Sequence, residues 1–224
     1  MCFLPTFAPM KTTLTDTEYI RNLIAEGEHQ RQDFKFEISD ARKIAKTLSA
    51  FANTEGGRLL IGIKDNGKIA GVHTDEEAYM IEAAAQLYCR PQIACHMQTY
   101  RAEGRNVLVA EVAPSSQKPV YAQDESDKWL AYLRIRDENI LATPVHLQVW
   151  QQNENAQGEL IEFTEREQAL LSLLNDNRQL SLNRYCRLSR LSRRTVEYLL
   201  AKLIRYDIVE TVFDNHKFYF RLKQ

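Results

Sequence analysis

The stretch at residues 50–72, AFANTEGGRLLIGIKDNGKIAGV, leaves this chain little conformational choice. It reads as a helix end, a glycine corner, a buried strand, a tight turn and a return strand. Leu59, Leu60, Ile61 and Ile63 form a nearly continuous apolar run, the pattern of a central strand covered on both faces. Gly56-Gly57 ends the preceding helix and lets the backbone turn where a Cβ would clash. Asp65-Asn66-Gly67-Lys68, set between two apolar runs, is a hairpin signal, because the turns that suit hairpins need residues tolerant of positive φ.

The flanking segments predict a helix before this stretch and more strands after it. Thr15 to Glu18 is a capping-box pattern, followed by Tyr19, Ile20, Leu23 and Ile24 at helical spacing. Phe34 and Phe36 alternate with charges, as in a half-buried strand, and Ser39 or Asp40 caps a helix whose apolar face is Ile44, Leu48 and Phe51. Further on, a helix is expected from about residue 75 to 88, and strands over 92–100, 106–112 and 129–136. A helical segment is expected after Pro144.

These motifs, in this order, resemble the Schlafen AlbA-like domain family. The carriers are Asp33-Phe34-Lys35, the AFANT-x-GG element ending at Gly57, and the LIGI-x-D-x-G-x-I-x-G element from Leu60 to Gly71. The resemblance covers roughly residues 18–144. It implies an α+β fold, a mixed β-sheet with flanking helices, found in bacterial transcriptional regulators and in Schlafen proteins. In Schlafen-type nucleases two acids five residues apart are joined by a third after the central strand. Glu28, Asp33 and Asp65 match those places, with Asp33 where glutamate is more usual. Such a set would hold Mg²⁺ or Mn²⁺ and activate water at a phosphodiester. Asp65 is equally a natural turn residue, and Glu28 equally a solvated loop acid.

The C-terminal part changes character. A polar, Gln/Asn-rich stretch at 151–160 reads as a linker. The domain division expected is a loose tail at 1–14, the AlbA-like domain at 15–150, that linker, and a second domain at 161–224. Thr164 to Glu167 is another capping box. Helices over about 164–175, 181–187 and 192–206 are then followed by strands at 208–213 and 217–222. Three helices and a β-hairpin make a winged helix-turn-helix. Asp207 stands where many winged helices place glycine, and aspartate tolerates the left-handed conformation.

Net charge decides where a nucleic-acid surface can lie. The formal charge of the 224-residue chain is −1, so any basic surface is local. Residues 178–206 supply such a surface: arginine and lysine recur throughout, and Glu197 is the only acid. Arg187, Arg190, Ser192, Arg193, Arg194, Thr195, Tyr198 and Lys202 are the candidate contacts, cations for phosphates and polar groups for base edges. Lys35 and Arg58 are candidates for a second basic groove in the N-terminal domain. In each case ordinary solvated charge is the competing reading.

The expected function is a nucleic-acid-binding protein, a DNA-binding transcriptional regulator acting as a homodimer. RNA is a second possible partner. The alternatives are a metal-dependent ribonuclease using Glu28, Asp33 and Asp65, and a non-enzymatic interaction module. No cofactor is expected outside the nuclease reading. There is no G-x-x-x-x-G-K-[ST] phosphate loop, no apolar run near the ~18 residues that span a bilayer, and no Cys or His spacing typical of zinc sites. The four cysteines suit reduced thiols, so the expected location is the cytoplasm.

Overall fold

The computed structural model describes residues 14–72, 75–154 and 164–223. All but the last residue of the tail expected at 1–14 and most of the expected linker lie outside the described residues. The elements run α1 (Asp16–Glu26), β1 (Gln32–Lys35), α2 (Ala41–Asn53), β2 (Gly57–Ile61), α3 (Glu76–Gln86), β3 (Cys89–Arg90), β4 (Cys95–Ala102) and β5 (Arg105–Val112). They continue as β6 (Tyr121–Gln123), β7 (Trp129–Ile135), β8 (Glu138–Leu141), α4 (Pro144–Glu154), α5 (Glu165–Asp176), β9 (Leu180–Ser181), α6 (Leu182–Ser189), α7 (Arg193–Arg205), β10 (Val209–Asp214) and β11 (Lys217–Leu222).

The apolar run of β2 is explained by two cores on its two faces. β2 is central in a mixed sheet of order β1-β2-β5-β4, parallel to β1 and antiparallel to β5. Leu60 and Ile63 meet Ile20 and Leu23 of α1 on one face. Leu59 and Ile61 meet Ile44, Leu48 and Phe51 of α2, with Ile81 and Ala84 of α3, on the other. β5 obeys the same alternation, Val107 and Val109 toward α1 and Leu108, Ala110 and Val112 toward α2.

α2 is more deeply enclosed than its sequence suggests. Every residue from Thr47 to Asn53 is buried, a full turn and more around the axis. The small and polar side opposite Leu48 faces a second, antiparallel sheet of order β3-β6-β7-β8. Ser49 Oγ donates to Val120 O at 2.8 Å. Asn53 Nδ2 donates to Val120 O and Tyr132 O at 2.8 and 2.9 Å, and its Oδ1 accepts from Val120 N. The asparagine of the AFANT motif is thus a buried bracket between α2 and the second sheet, and all of its bonds are satisfied inside the fold.

The expected return strand after the Asn-Gly turn is a correction. The turn forms, with Lys64 N bonded to Lys68 O and Gly67 N to Lys64 O. Beyond it the pairing shrinks to one bridge between Ile63 and Ile69. Gly62 and Gly71 both take positive φ, which bends the chain out of the sheet, and Val72 N then bonds Asn106 O beside β5. Gly56, with φ +74°, makes the tightest corner: a Cβ there would stand 2.6 Å from Val112 O and 2.8 Å from Pro114 Cδ. Gly56→Ala combines left-handed strain with a backbone clash. It should lower stability by at least about 2 kcal/mol, read as a shifted denaturation midpoint at unchanged slope. A loss below about 0.5 kcal/mol would show that the corner relaxes freely.

The C-terminal elements build their own core. Leu170, Leu174, Tyr185, Val196, Leu200, Leu203, Val209 and Phe220 are buried together, over a sheet of order β10-β11-β9. Thr164 and Ser192 cap α5 and α7 as their sequences predict. Val145 of α4 is fully buried in this same core. By packing, α4 therefore joins the C-terminal elements, and its end, residues 151–154, occupies the start of the stretch expected as a linker.

His146 of α4 lies at the junction, its ring 4.8 Å from that of Phe218. Burial pushes its imidazole down to about 4. Thr143 N also donates to Nδ1 at 3.2 Å, a bond that only an unprotonated nitrogen accepts. In the unfolded chain this histidine takes up its proton near pH 6.5, so its contribution to stability is present above that value and is lost as pH falls toward about 4. The slope from one such group is at most about 1.4 kcal/mol per pH unit. His146→Gln should flatten stability between pH 6.5 and 4; an unchanged profile would place the acid sensitivity elsewhere.

Candidate nucleic-acid interface

The helical pair α6 and α7 presents the basic surface. Arg190 ends α6 in the left-handed conformation, with φ 57°. Two residues later Ser192 caps α7, its Oγ accepting from Thr195 N and lying 2.7 Å from Thr195 Oγ1. This tight connection puts Arg187, Arg190 and Arg194 in water on neighbouring turns, with Arg184 one turn back along α6. None of these four has an ion-pair partner among the described residues. Tyr198 is 52% exposed, on the outer side of α7 one turn beyond Arg194.

Other candidates are already engaged. Arg193 gives Nε to Glu197 Oε1 at 3.0 Å and Nη1 to Asn183 Oδ1 at 2.9 Å. Lys202 reaches inward to Glu167 Oε1 at 2.5 Å. The bond from Glu167 raises the Lys202 ammonium above its ordinary value. Although burial opposes it, hydrogen bonds from Lys202 and Thr164 hold the Glu167 carboxyl low. Lys202 therefore ties α7 to α5. In the N-terminal half, Lys35 Nζ lies 2.7 Å from Asp33 Oδ2. Arg58 pairs with Glu26 and gives Nε to Gln32 Oε1 at 2.6 Å. Arg42 pairs with Asp127. The contrast is electrostatic: Lys35, Arg58 and Arg42 face acids, whereas Arg184, Arg187, Arg190 and Arg194 face water.

The three carboxylates do not form one group. Asp33, expected to alternate with inward phenylalanines, is itself buried, and Phe36 is 44% exposed. Its charge is answered by Arg134 of β7, which is 1% exposed. Arg134 Nη2 donates to Asp33 Oδ1 and to Gln32 O, both at 3.0 Å, and Nη1 to Asn139 Oδ1 at 3.0 Å. The guanidinium lies 5.3 Å from the centre of the Phe51 ring. Glu28 is a neighbour of Asp33, and its Oε1 accepts from Phe34 N at 2.9 Å. Partial desolvation raises the Glu28 carboxyl, Phe34 N opposes this, and the Asp33 side chain adds to it. Asp65 sits exposed on the turn after β2. Among the described residues, no three His, Cys, Asp or Glu side chains gather closely enough to hold a metal. A hard cation needs free carboxylate charge, and Asp33 has already spent its charge on Arg134 and Lys35. These residues do not fit a metal centre.

Arg134 was not among the candidates read from the sequence. Its signal was present: a lone arginine inside the apolar run Tyr132-Leu133-Arg134-Ile135 of a strand. A cation at such a position demands a buried acid, and Asp33 is that acid.

No helix among the described residues is long and apolar enough to cross a membrane. No curated protein matches the chain. Among solved structures, it is similar to the DIP2311 protein from Corynebacterium diphtheriae, with 21% identity, a TM-score of 0.46 and 72% of this chain covered. The chain spans 38% of the length of that protein. It is also similar to the N-terminal domain of an ATP-dependent DNA helicase RecG-related protein from Nitrosomonas europaea, with 21% identity and a TM-score of 0.42; the match covers 68% of this chain and 98% of that domain. The family described as Schlafen, AlbA_2 matches residues 28–143, the span that holds β1, the AFANT helix, the glycine corner and the second sheet. With more than half of its length matched, the chain belongs to the Schlafen AlbA_2 family.

Proposed function

We propose that this protein binds nucleic acid, and that α6 and α7 dock on duplex DNA as the helices of a winged helix-turn-helix, with β10–β11 as the wing. The observation that carries the reading is the set of exposed arginines at 184, 187, 190 and 194, with no acid answering them among the described residues. Phosphate contacts need cations of this kind, while Ser192, Thr195 and Tyr198 at the start of α7 suit base edges. The order α5, α6, left-handed corner, α7, hairpin supports the same reading. The AlbA-like part then serves as a second contact or a partner-binding scaffold, and the protein acts as a regulator of transcription. Two copies would pair on two half-sites, which light scattering at working concentration checks.

The test is fluorescence anisotropy with labelled duplex DNA and a structured RNA across a salt series. Binding to duplex that weakens log-linearly with salt supports the proposal. Absence of binding to either at low salt would leave an interaction module as the better account, and preference for the RNA would reassign the partner.

A further inference from the structure

An open cavity at the junction of the two halves has none of the four unpaired arginines of α6 and α7 in its lining. Its volume is about 560 Å³, within the roughly 300–1,000 Å³ of small-molecule sites. Ile140, Leu141 and Pro144, from the end of β8 and the start of α4, form one wall. Leu182, Phe213 and Phe218 form the opposite wall, from α6 and the C-terminal hairpin. Leu141 is 50% exposed, so an apolar surface lies open there.

The charged groups of the lining all share one sign. Arg193 and Lys217 line the cavity beside the His216 imidazole, and no carboxylate does so among the described residues. Glu138 approaches from outside, 3.7 Å from His216 Nδ1. Arg193 is held in place from two sides, by Glu197 at Nε and by Asn183 at Nη1. Neither bond uses its Nη2. A fixed guanidinium beside an open apolar wall suits a ligand that is apolar at one end and anionic at the other.

We propose that this cavity binds a small organic carboxylate with an aromatic or aliphatic body. The body lies between Leu141 and Phe218, and the carboxylate meets Arg193 and Lys217. A sugar phosphate would leave the apolar walls unused, and a neutral hydrocarbon would leave the cations unused. The proposal does not depend on whether α7 touches DNA, because binding is read without nucleic acid.

Titration calorimetry of the full chain with 1-naphthoate and with 1-naphthylmethanol tests it, since the two share a body and differ in charge. Saturable one-site binding of 1-naphthoate is expected, at least tenfold tighter than the alcohol. Lys217→Glu and Leu141→Glu should each weaken it at least tenfold. Lys217 is exposed beside the hairpin turn, so its variant keeps the test decisive if the Leu141 variant does not fold. The proposal is overturned by no saturable binding of 1-naphthoate, by equal affinity for the alcohol, or by undiminished affinity in a folded Lys217→Glu protein.

Discussion

Arg134→Met is expected to destabilise the fold by about 3–5 kcal/mol, the range found when one partner of a buried ion pair is removed. The methionine fills part of the space over Phe51 but leaves Asp33 buried at 4% exposure, with Lys35 as its remaining cation. Asn139 Oδ1 loses its donor as well, and Gln32 O keeps only His29 N. The damage therefore reaches beyond one contact, because the guanidinium joins β1 of the first sheet to β7 of the second. Asp33→Leu combined with Arg134→Met should recover much of the loss, since it removes the orphaned charge from the interior. Urea denaturation of the single and double variants measures this. A single-variant loss below about 1 kcal/mol would mean that water reaches Asp33 and that the bridge does not organise the two sheets.

Removing the unpaired arginines should have the largest effect on binding. The triple variant Arg187→Ala, Arg190→Ala, Arg194→Ala is expected to weaken duplex affinity about 100-fold or more near physiological salt. It should also flatten the salt dependence by about 2.7 in log–log slope, if each arginine neutralises one phosphate. These side chains are exposed and unpartnered among the described residues, so the thermal unfolding midpoint should hold. Lys35→Ala combined with Arg58→Ala gives the contrast: both cations already face acids, so their loss should change affinity by less than about fivefold. If the two results were exchanged, the interface would belong to the AlbA-like part. If neither variant changed binding, the basic face of α6 and α7 would be a solvated surface.

Much of this molecule is legible from local pattern. The capping boxes at Thr15 and Thr164, the apolar run of β2, the glycine corner and the C-terminal order of helices and hairpin are short-range statements, because propensity and periodicity act over a few residues. The family followed from the same kind of signal, several short motifs in a fixed order. Strand ends were read less well, as at β4, which begins at Cys95 where residue 92 was expected. The small strands β3, β6, β8 and β9 leave no such signal. Their residues carry little periodicity, and partners distant in sequence hold them in place.

What tertiary structure alone decided was which charges are free. In sequence Lys35, Arg58, Lys202 and Arg187 are equivalent cations. In the fold Lys35 meets Asp33, Arg58 meets Glu26, Lys202 meets Glu167, and Arg187 meets water. The carboxylates divide in the same way: Asp33 is consumed by an arginine 101 positions away, and Asp65 stays on its turn. Ion pairing depends on distance in space, which falls off within a few ångströms and leaves no trace in local spacing. The sequence by itself determined the longer elements and the family; three-dimensional packing determined the short strands and which side chains remain available for chemistry.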